Sequence, residues 1–217
     1  MAETYKINST DVTTYLTHLQ VIDGSIGIPP LRQDDYVVPG RTGSIAATPW
    51  FGPRVVTFGG IVAGSTRIAY QANLKGLMKL VLNGGQTFKI ERTLDVTGSP
   101  GTQTTEATAR YLGGLESADA LSNRVGRVAF DVQLMDGYWY DATAVTLGTI
   151  TTSGTVTVGG NAPTQAVTVT YSIGAGSQRL SNAAFPGLGR LTLVPGANVL
   201  TLTGGGTAVI SAKAAWL

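Results

Sequence analysis

Along most of the chain apolar and polar residues alternate with a period of two, the mark of half-buried β-strands. Residues 4–8, TYKIN, alternate and stop at the polar run Asn8-Ser9-Thr10-Asp11. Residues 13–22, TTYLTHLQVI, predict a second strand. In it Tyr15, Thr17, Leu19 and Val21 fall on one face, and Leu16, His18 and Gln20 on the other. Residues 23–31 read as a loop that Pro29-Pro30 holds extended. A short strand at 35–38 closes at Pro39-Gly40. A longer one at 54–63 carries Gly59-Gly60 at its centre, which in a strand signals a bulge or a close approach. Further strands are predicted at 87–94 and 127–135, the latter with Val128, Phe130, Val132 and Leu134 on one face.

Two segments break this rhythm. Between about 66 and 83 the apolar residues Tyr70, Leu74, Leu77, Met78 and Val81 recur at i, i+4, i+7, i+8 and i+11. That spacing is one stripe of an α-helix. Ser65 or Thr66 can cap its start, and Asn83-Gly84-Gly85 its end. Each stripe residue contributes about 1.5–3 kcal/mol on burial, so the stripe reads as core packing that docks the helix on a sheet. Residues 95–126 are polar, turn-rich and only weakly periodic. A long excursion of this kind inside a compact domain is functional or mobile, and it reads as a projecting hairpin or arm.

After Asp141 the character changes. Residues 142–217 hold three charges, Arg179, Arg190 and Lys213. Short Val/Thr strands are predicted at 143–150, 153–158, 165–171, 188–193, 198–203 and 206–216, the last with Ala208, Ile210, Ala212, Ala214 and Trp216 on one face. The expectation is a mostly-β protein in two domains. Residues 1–141 would form a β-sandwich with one packed helix and the arm, and residues 142–217 a second, all-β sandwich.

Composition narrows the function. Charged residues make up 13%, well below the usual quarter, which suits a surface covered by neighbours of its own kind. The formal charge of +2 comes with no polybasic run, so nucleic acid is not the expected ligand. With no cysteine there is no disulfide, thiolate metal site or cysteine nucleophile. His18 is the only histidine, too little for a triad or a zinc site. Asp34 and Asp35 are adjacent, so in a strand they point to opposite faces, and Asp131 and Asp136 sit at an equally unsuitable odd separation. The glycines of 59–64 precede a helix but lack the GK[ST] ending of a phosphate loop. Neither an enzyme nor a cofactor is expected. The N-terminus MAETYKINST lacks the apolar core of a signal peptide, and no stretch approaches the roughly 20 apolar residues of a membrane span. Synthesis in the cytoplasm without membrane insertion is the expectation. Tyr171, Phe185 and Trp216 are candidates for a sugar platform, against the plainer reading of core or interface aromatics.

The order of four motifs carries further. VPGRTG at 38–43, FGPRVVTFGGIVAG at 51–64, the helix LKGLMKLVLNGG and the strand TFKIERTL follow one another. This order resembles the distal tail proteins of long-tailed, non-contractile (siphovirus-type) bacteriophages. The ending VPGANVLTLTGGGTAVISAKAAWL resembles the last strands of their C-terminal galectin-like sandwich. The resemblance implies a structural virion protein: a homohexameric ring, or baseplate hub, at the end of the tail tube. A belt, here 95–126, would reach from one subunit to the next. It implies inter-subunit contacts at Arg41, Arg54, Arg110 and Tyr111. It also implies a partner or ligand surface on the C-terminal domain, for which Tyr171, Arg179 and Trp216 are the candidates. Implied partners are further copies of the chain, the tail tube protein, the tape measure and the tail-tip or fibre proteins, with genomic DNA only passing the channel. The alternatives are a tail tube protein, or a carbohydrate-binding module used in host attachment.

Overall fold

The computed structural model describes residues 3–24, 28–32, 36–37, 44–45, 50–94, 102–172, 178–182 and 191–217. It divides into two units, Met1–Tyr138 and Trp139–Leu217.

The first unit opens with strands β1 (Glu3–Ile7) and β2 (Thr10–Asp11). Asn8 and Ser9 join them, both at positive φ (46° and 67°), the two-residue turn whose twist matches a hairpin. The strand predicted at 13–22 starts late. The Asp11 carboxylate accepts from the Thr13 N–H at 2.8 Å and caps a single 3-10 turn over Val12–Thr14, so β3 covers only Thr17–Asp23. The predicted alternation fails with it: Leu16 is buried, and β3 slips register between Thr17 and Gln20, where His18 sits at φ 54°.

Two short ribbons follow, β4 (Leu31–Arg32) with β7 (Trp50–Phe51), and β5 (Tyr36–Val37) with β6 (Ser44–Ile45). The longer strands are β8 (Arg54–Ala63), β9 (Phe88–Leu94), β10 (Gln103–Ser122) and β11 (Val125–Leu134). They form one antiparallel sheet in the order β2-β1-β9-β10-β11-β8-β3. Gly59-Gly60 is the close approach and not the bulge. β8 pairs β11 without interruption, while a Cβ at Gly59 would lie 2.6 Å from Ile22 and one at Gly60 3.3 Å from Leu16.

This sheet is strongly curled. β1 and β8 are four strand steps apart, roughly 19 Å in a flat sheet. Yet the rings of Tyr5 on β1 and Phe58 on β8 meet edge to face with centroids 5.1 Å apart, and Phe58 stacks on Phe130 at 5.3 Å. The two ends of the sheet therefore face each other, and Tyr5, Ile7, Val56, Phe58, Ile90, Phe130 and Val132 fill the space between.

Helix α1 spans Arg67–Leu82, with the Thr66 hydroxyl accepting from the Ala69 N–H and Asn83 closing it in the left-handed conformation. Tyr70, Leu77 and Val81 of the predicted stripe are buried. The helix is drawn tightly against the end of β8: a Cβ at Gly64 would lie 2.2 Å from the Tyr70 nitrogen, and the Asn73 amide donates to the Ala63 carbonyl at 2.8 Å.

The second unit contains β12 (Trp139–Asp141), β13 (Val145–Ile150), β14 (Ser153–Val158), β15 (Val167–Tyr171), β16 (Arg179–Asn182), β17 (Gly196–Thr203), β18 (Ala208–Ala212) and β19 (Ala215–Trp216). Sheets β13-β18-β15 and β14-β17-β16 share one core of Ile150, Val156, Val158, Leu180, Leu200, Leu202 and Ile210, a β-sandwich. β12 pairs β19. Three details depart from the predicted strands. β16 was not expected. Of 188–193, residues 188–190 lie outside the described ones, and Leu193 makes only a bridge to Thr164. The last strand breaks at Lys213–Ala214, so Ala215 and not Ala214 is buried. The cause is that the Ala215 carbonyl is taken up by the Asn161 and Ala162 N–H groups, which pins Ala215 inward.

Candidate assembly surface

The segment expected to form an arm is, from residue 103, strand β10. Its first part, 103–109, is hydrogen-bonded to β9. Its second part runs beside β11, from Ala109 opposite Leu134 to Ser122 opposite Val125. The turn between β10 and β11 is not loose, because the Arg124 carbonyl accepts from the Gly64 N–H at 2.9 Å. Residues 95–101 lie outside the described ones.

This half of β10 is irregular for a visible reason. From Tyr111 to Ser122 it takes eleven steps while β11, from Val132 to Val125, takes seven, with register shifts at four places. Each shift adds one unpaired residue and bends the strand. The first lies at Tyr111-Leu112-Gly113. It is held by the Tyr111 hydroxyl, which accepts from the Leu115 N–H at 3.1 Å, while Gly114 sits at φ 91°. Leu112 is left 47% exposed. Next to the bulge, the Arg110 guanidinium donates to the Gln133 side chain across the ladder at 2.7 Å. Arg110 and Tyr111 thus stand side by side where the pairing of β10 with β9 ends. The latch role of Tyr111 was not read from the sequence, although Gly113-Gly114 within a strand carried the same signal as Gly59-Gly60.

Arg54 has a different setting. It is 4% exposed within the unit and neighbours the equally buried Arg92. Burial, and then Arg92, lower the pKa of Arg54; burial also lowers that of Arg92, against the opposing pull of Tyr5 and Glu3. Arg41 lies outside the described residues, as do Asp34, Asp35 and Phe185. On the opposite face of the sheet Glu91 and Glu106 are cross-strand partners, and Lys89 pairs with both, 3.0 Å from Glu91. That contact holds the Lys89 pKa above its ordinary value, through Glu106 first and then Glu91.

In the second unit Tyr171 and Arg179 come to the same end. Tyr171 pairs with Ala208 at the start of β18, and Arg179 with Thr203 at the end of β17, on either side of the 204–207 turn. Trp216 does not join them. It follows the other end of β18, about 13 Å along from Ala208 at Ala212. There it pairs with Trp139 and donates its indole N–H to Asp141 at 2.7 Å. Tyr171 is 39% exposed, and Trp216 is half-buried.

Among the described residues no three His, Asp or Glu side chains gather as a metal site would need. His18 is exposed on its bulge, and Asp131 accepts from the Thr57 hydroxyl at 2.7 Å. No described helix is long and apolar enough to cross a membrane.

No protein-family model and no curated protein sequence matches the chain. Solved structures do. The SPP1 Dit (gp 19.1) protein, described as a paradigm of the hub adsorption apparatus in phages infecting Gram-positive hosts, is 16% identical. It aligns over 98% of this chain and 99% of its own with a TM-score of 0.66. A chain of the phage p2 baseplate in its activated conformation with strontium is 10% identical, aligned over 98% of both, with a TM-score of 0.50. At these identities the likeness is one of fold, and it runs from end to end: a mostly-β chain with one α-helix among the described residues, folded like SPP1 Dit.

Proposed function

We propose that this chain is the distal tail hub protein of a long-tailed, non-contractile bacteriophage, a structural component of the virion tail tip. The observation that carries the reading is the end-to-end likeness of fold to SPP1 Dit. In this reading six copies close into a ring at the end of the tail tube, and residues 142–217 form the galectin-like domain that meets the tail-tip or fibre proteins. Such a ring needs a heterologous contact that closes on itself. The irregular stretch of β10 beyond its pairing with β9, with Arg110, Tyr111 and exposed Leu112, supplies one side of it, in the place of the belt. Arg41 remains a candidate for the other, whereas Arg54, at 4% exposure, is held inside the unit. The tube protein and the tape measure are the axial partners, and genomic DNA passes the channel without being held.

Light scattering on the purified chain tests this directly. A closed six-membered ring has a mass of about 135 kDa, six times the 22.5 kDa of the chain. A mass that stays at one chain at every concentration would count against the ring. Electron microscopy separates the hub from a tube protein: single or paired rings support the hub, and stacked filaments the tube. The sugar-module reading loses ground because Tyr171 and Arg179 stand at one end of the sandwich and Trp216 at the other.

A further inference from the structure

Helix α1 has a second face that the fold does not use. Arg67, Ile68, Gln71, Ala72, Lys75, Lys79 and Leu82 are all exposed. At about 100° per residue they fall within one stripe about 140° wide, turned away from Tyr70, Leu77 and Val81. The stripe carries three cations, and the helix contains no acidic residue at all. Arg67, Lys75 and Lys79 have no hydrogen-bond or ion-pair partner among the described residues. The chain as a whole is close to neutral, so this concentration of one sign is local.

Two further features set the face apart from an ordinary solvated one. Arg67 stands in the first helical turn, where the backbone dipole repels a cation and where an acidic residue is the stabilising choice. A position that opposes the local rule without a compensating contact points to a role outside the fold. Ile68 is 79% exposed and Leu82 44% exposed, so large aliphatic side chains mark both ends of the cationic row. The row is roughly 22 Å long.

We propose that this face of α1 docks an acidic, partly apolar surface of another protein. Charge complementarity sets the sign, and Ile68 and Leu82 supply the apolar anchors. Nucleic acid fits less well. Three cations over that length are sparse against a duplex bearing one charge per about 1.7 Å, and exposed aliphatics gain nothing from a phosphate backbone. A single helix face is a fraction of a standard interface, so each site is weak alone and gains strength when several copies present it together.

The test uses the full chain and three fluorescent probes read by anisotropy. One is an amphipathic helical peptide of about 22 residues, with leucines on one stripe flanked by glutamates; the second has glutamine in place of every glutamate; the third is a DNA duplex of about 20 base pairs. The acidic peptide should bind, should weaken on raising salt to about 0.5 M, and should lose at least about tenfold in affinity to the Lys75→Glu/Lys79→Glu chain. The milder Lys75→Gln/Lys79→Gln chain should fall between, with an unchanged circular dichroism spectrum for both. Equal binding of the glutamine peptide, equal binding by the charge-reversed chain, tighter binding of the duplex, or no binding at all would each overturn the proposal. A change in oligomeric mass on charge reversal would also overturn it, by assigning the face to contacts between copies.

Discussion

Gly76 lies inside α1, where glycine is normally a liability. Alanine in a helix interior is favoured over glycine by about 0.8–1 kcal/mol. Here a Cβ would lie 2.4 Å from Cε1 of Tyr15, 2.9 Å from Cδ1 and 3.0 Å from Cζ. Those atoms belong to a ring whose backbone is fixed by the capped turn at Val12–Thr14, so the ring must retreat by about 1 Å, and overpacking of that size costs about 1–3 kcal/mol. Gly76→Ala should therefore destabilise the unit by about 1 kcal/mol despite its better helix propensity. In a Tyr15→Ala background the obstruction is gone, and the same substitution should stabilise by about 1 kcal/mol. The difference, about 2 kcal/mol, is the coupling between the two sites. Urea unfolding followed at 222 nm measures it, because the α-helix among the described residues belongs to the first unit. Equal stabilisation by Gly76→Ala in both backgrounds would refute the reasoning and remove Tyr15 from the helix surface.

Three other outcomes are expected. Tyr111→Phe deletes the acceptor of the Leu115 N–H, so hydrogen exchange at 112–116 should speed up by about tenfold while β8 keeps its protection. Asn198→Ala should lower the stability of the second unit by about 3 kcal/mol and leave the first unchanged in calorimetry. The reason is that buried Asn198 accepts from the Val194 N–H and the Asn182 amide and donates to the carbonyls of Val194 and Gly196. Lys89 has a folded pKa above its unfolded value, so its contribution is whole below about pH 10 and lost as the pH rises through the folded value. Lys89 is half-exposed, so the loss stays under about 1 kcal/mol, and Lys89→Gln should flatten the alkaline limb of the stability profile.

How much was legible follows from what each pattern depends on. The helix was expected at 66–83 and occupies Arg67–Leu82, because a 3.6-residue stripe between a threonine cap and an Asn-Gly-Gly stop is a local property. The alternation of Val128, Phe130, Val132 and Leu134 holds for the same reason. The start of β3 was not legible because one carboxylate, Asp11, wins the backbone for a 3-10 turn. β16 escaped because Arg-Leu-Ser-Asn offers only Leu180 to a hydropathy pattern, and its buried Asn182 looks like a turn residue. The arm misleads most. Its polar sequence suggests that 97–123 could be removed intact, yet residues 103–109 lie beside β9 inside the sheet. Alternating Thr and Ala there bury one face and hide the strand from a scan for large apolar residues. Of the candidate interface residues, Arg110 and Tyr111 meet at one bulge, which is a matter of register and not of composition.

The four register shifts of β10 bear on how this strand avoids indiscriminate pairing before assembly. A long, flat edge strand is a template for indiscriminate pairing, and proteins blunt such edges with bulges, charges or proline. Residues 110–122 contain no proline, and four extra residues on β10 take that place, each bending the edge away from a straight partner. An irregular edge pairs only with a surface shaped to it, so the same bulges that block open-ended stacking favour a single, closing contact. Straightening the strand should reverse both effects. Deleting Gly113 removes the first extra residue, so that Leu112 falls opposite Asp131 next to the Tyr111–Val132 pair, and it also breaks the Tyr111–Leu115 latch. The expected product is a folded chain that forms polydisperse, thioflavin-positive or filamentous material in place of one defined mass, seen by light scattering and microscopy. A deletion variant that keeps the oligomeric mass of the parent chain would show that the bulge does not guard the edge.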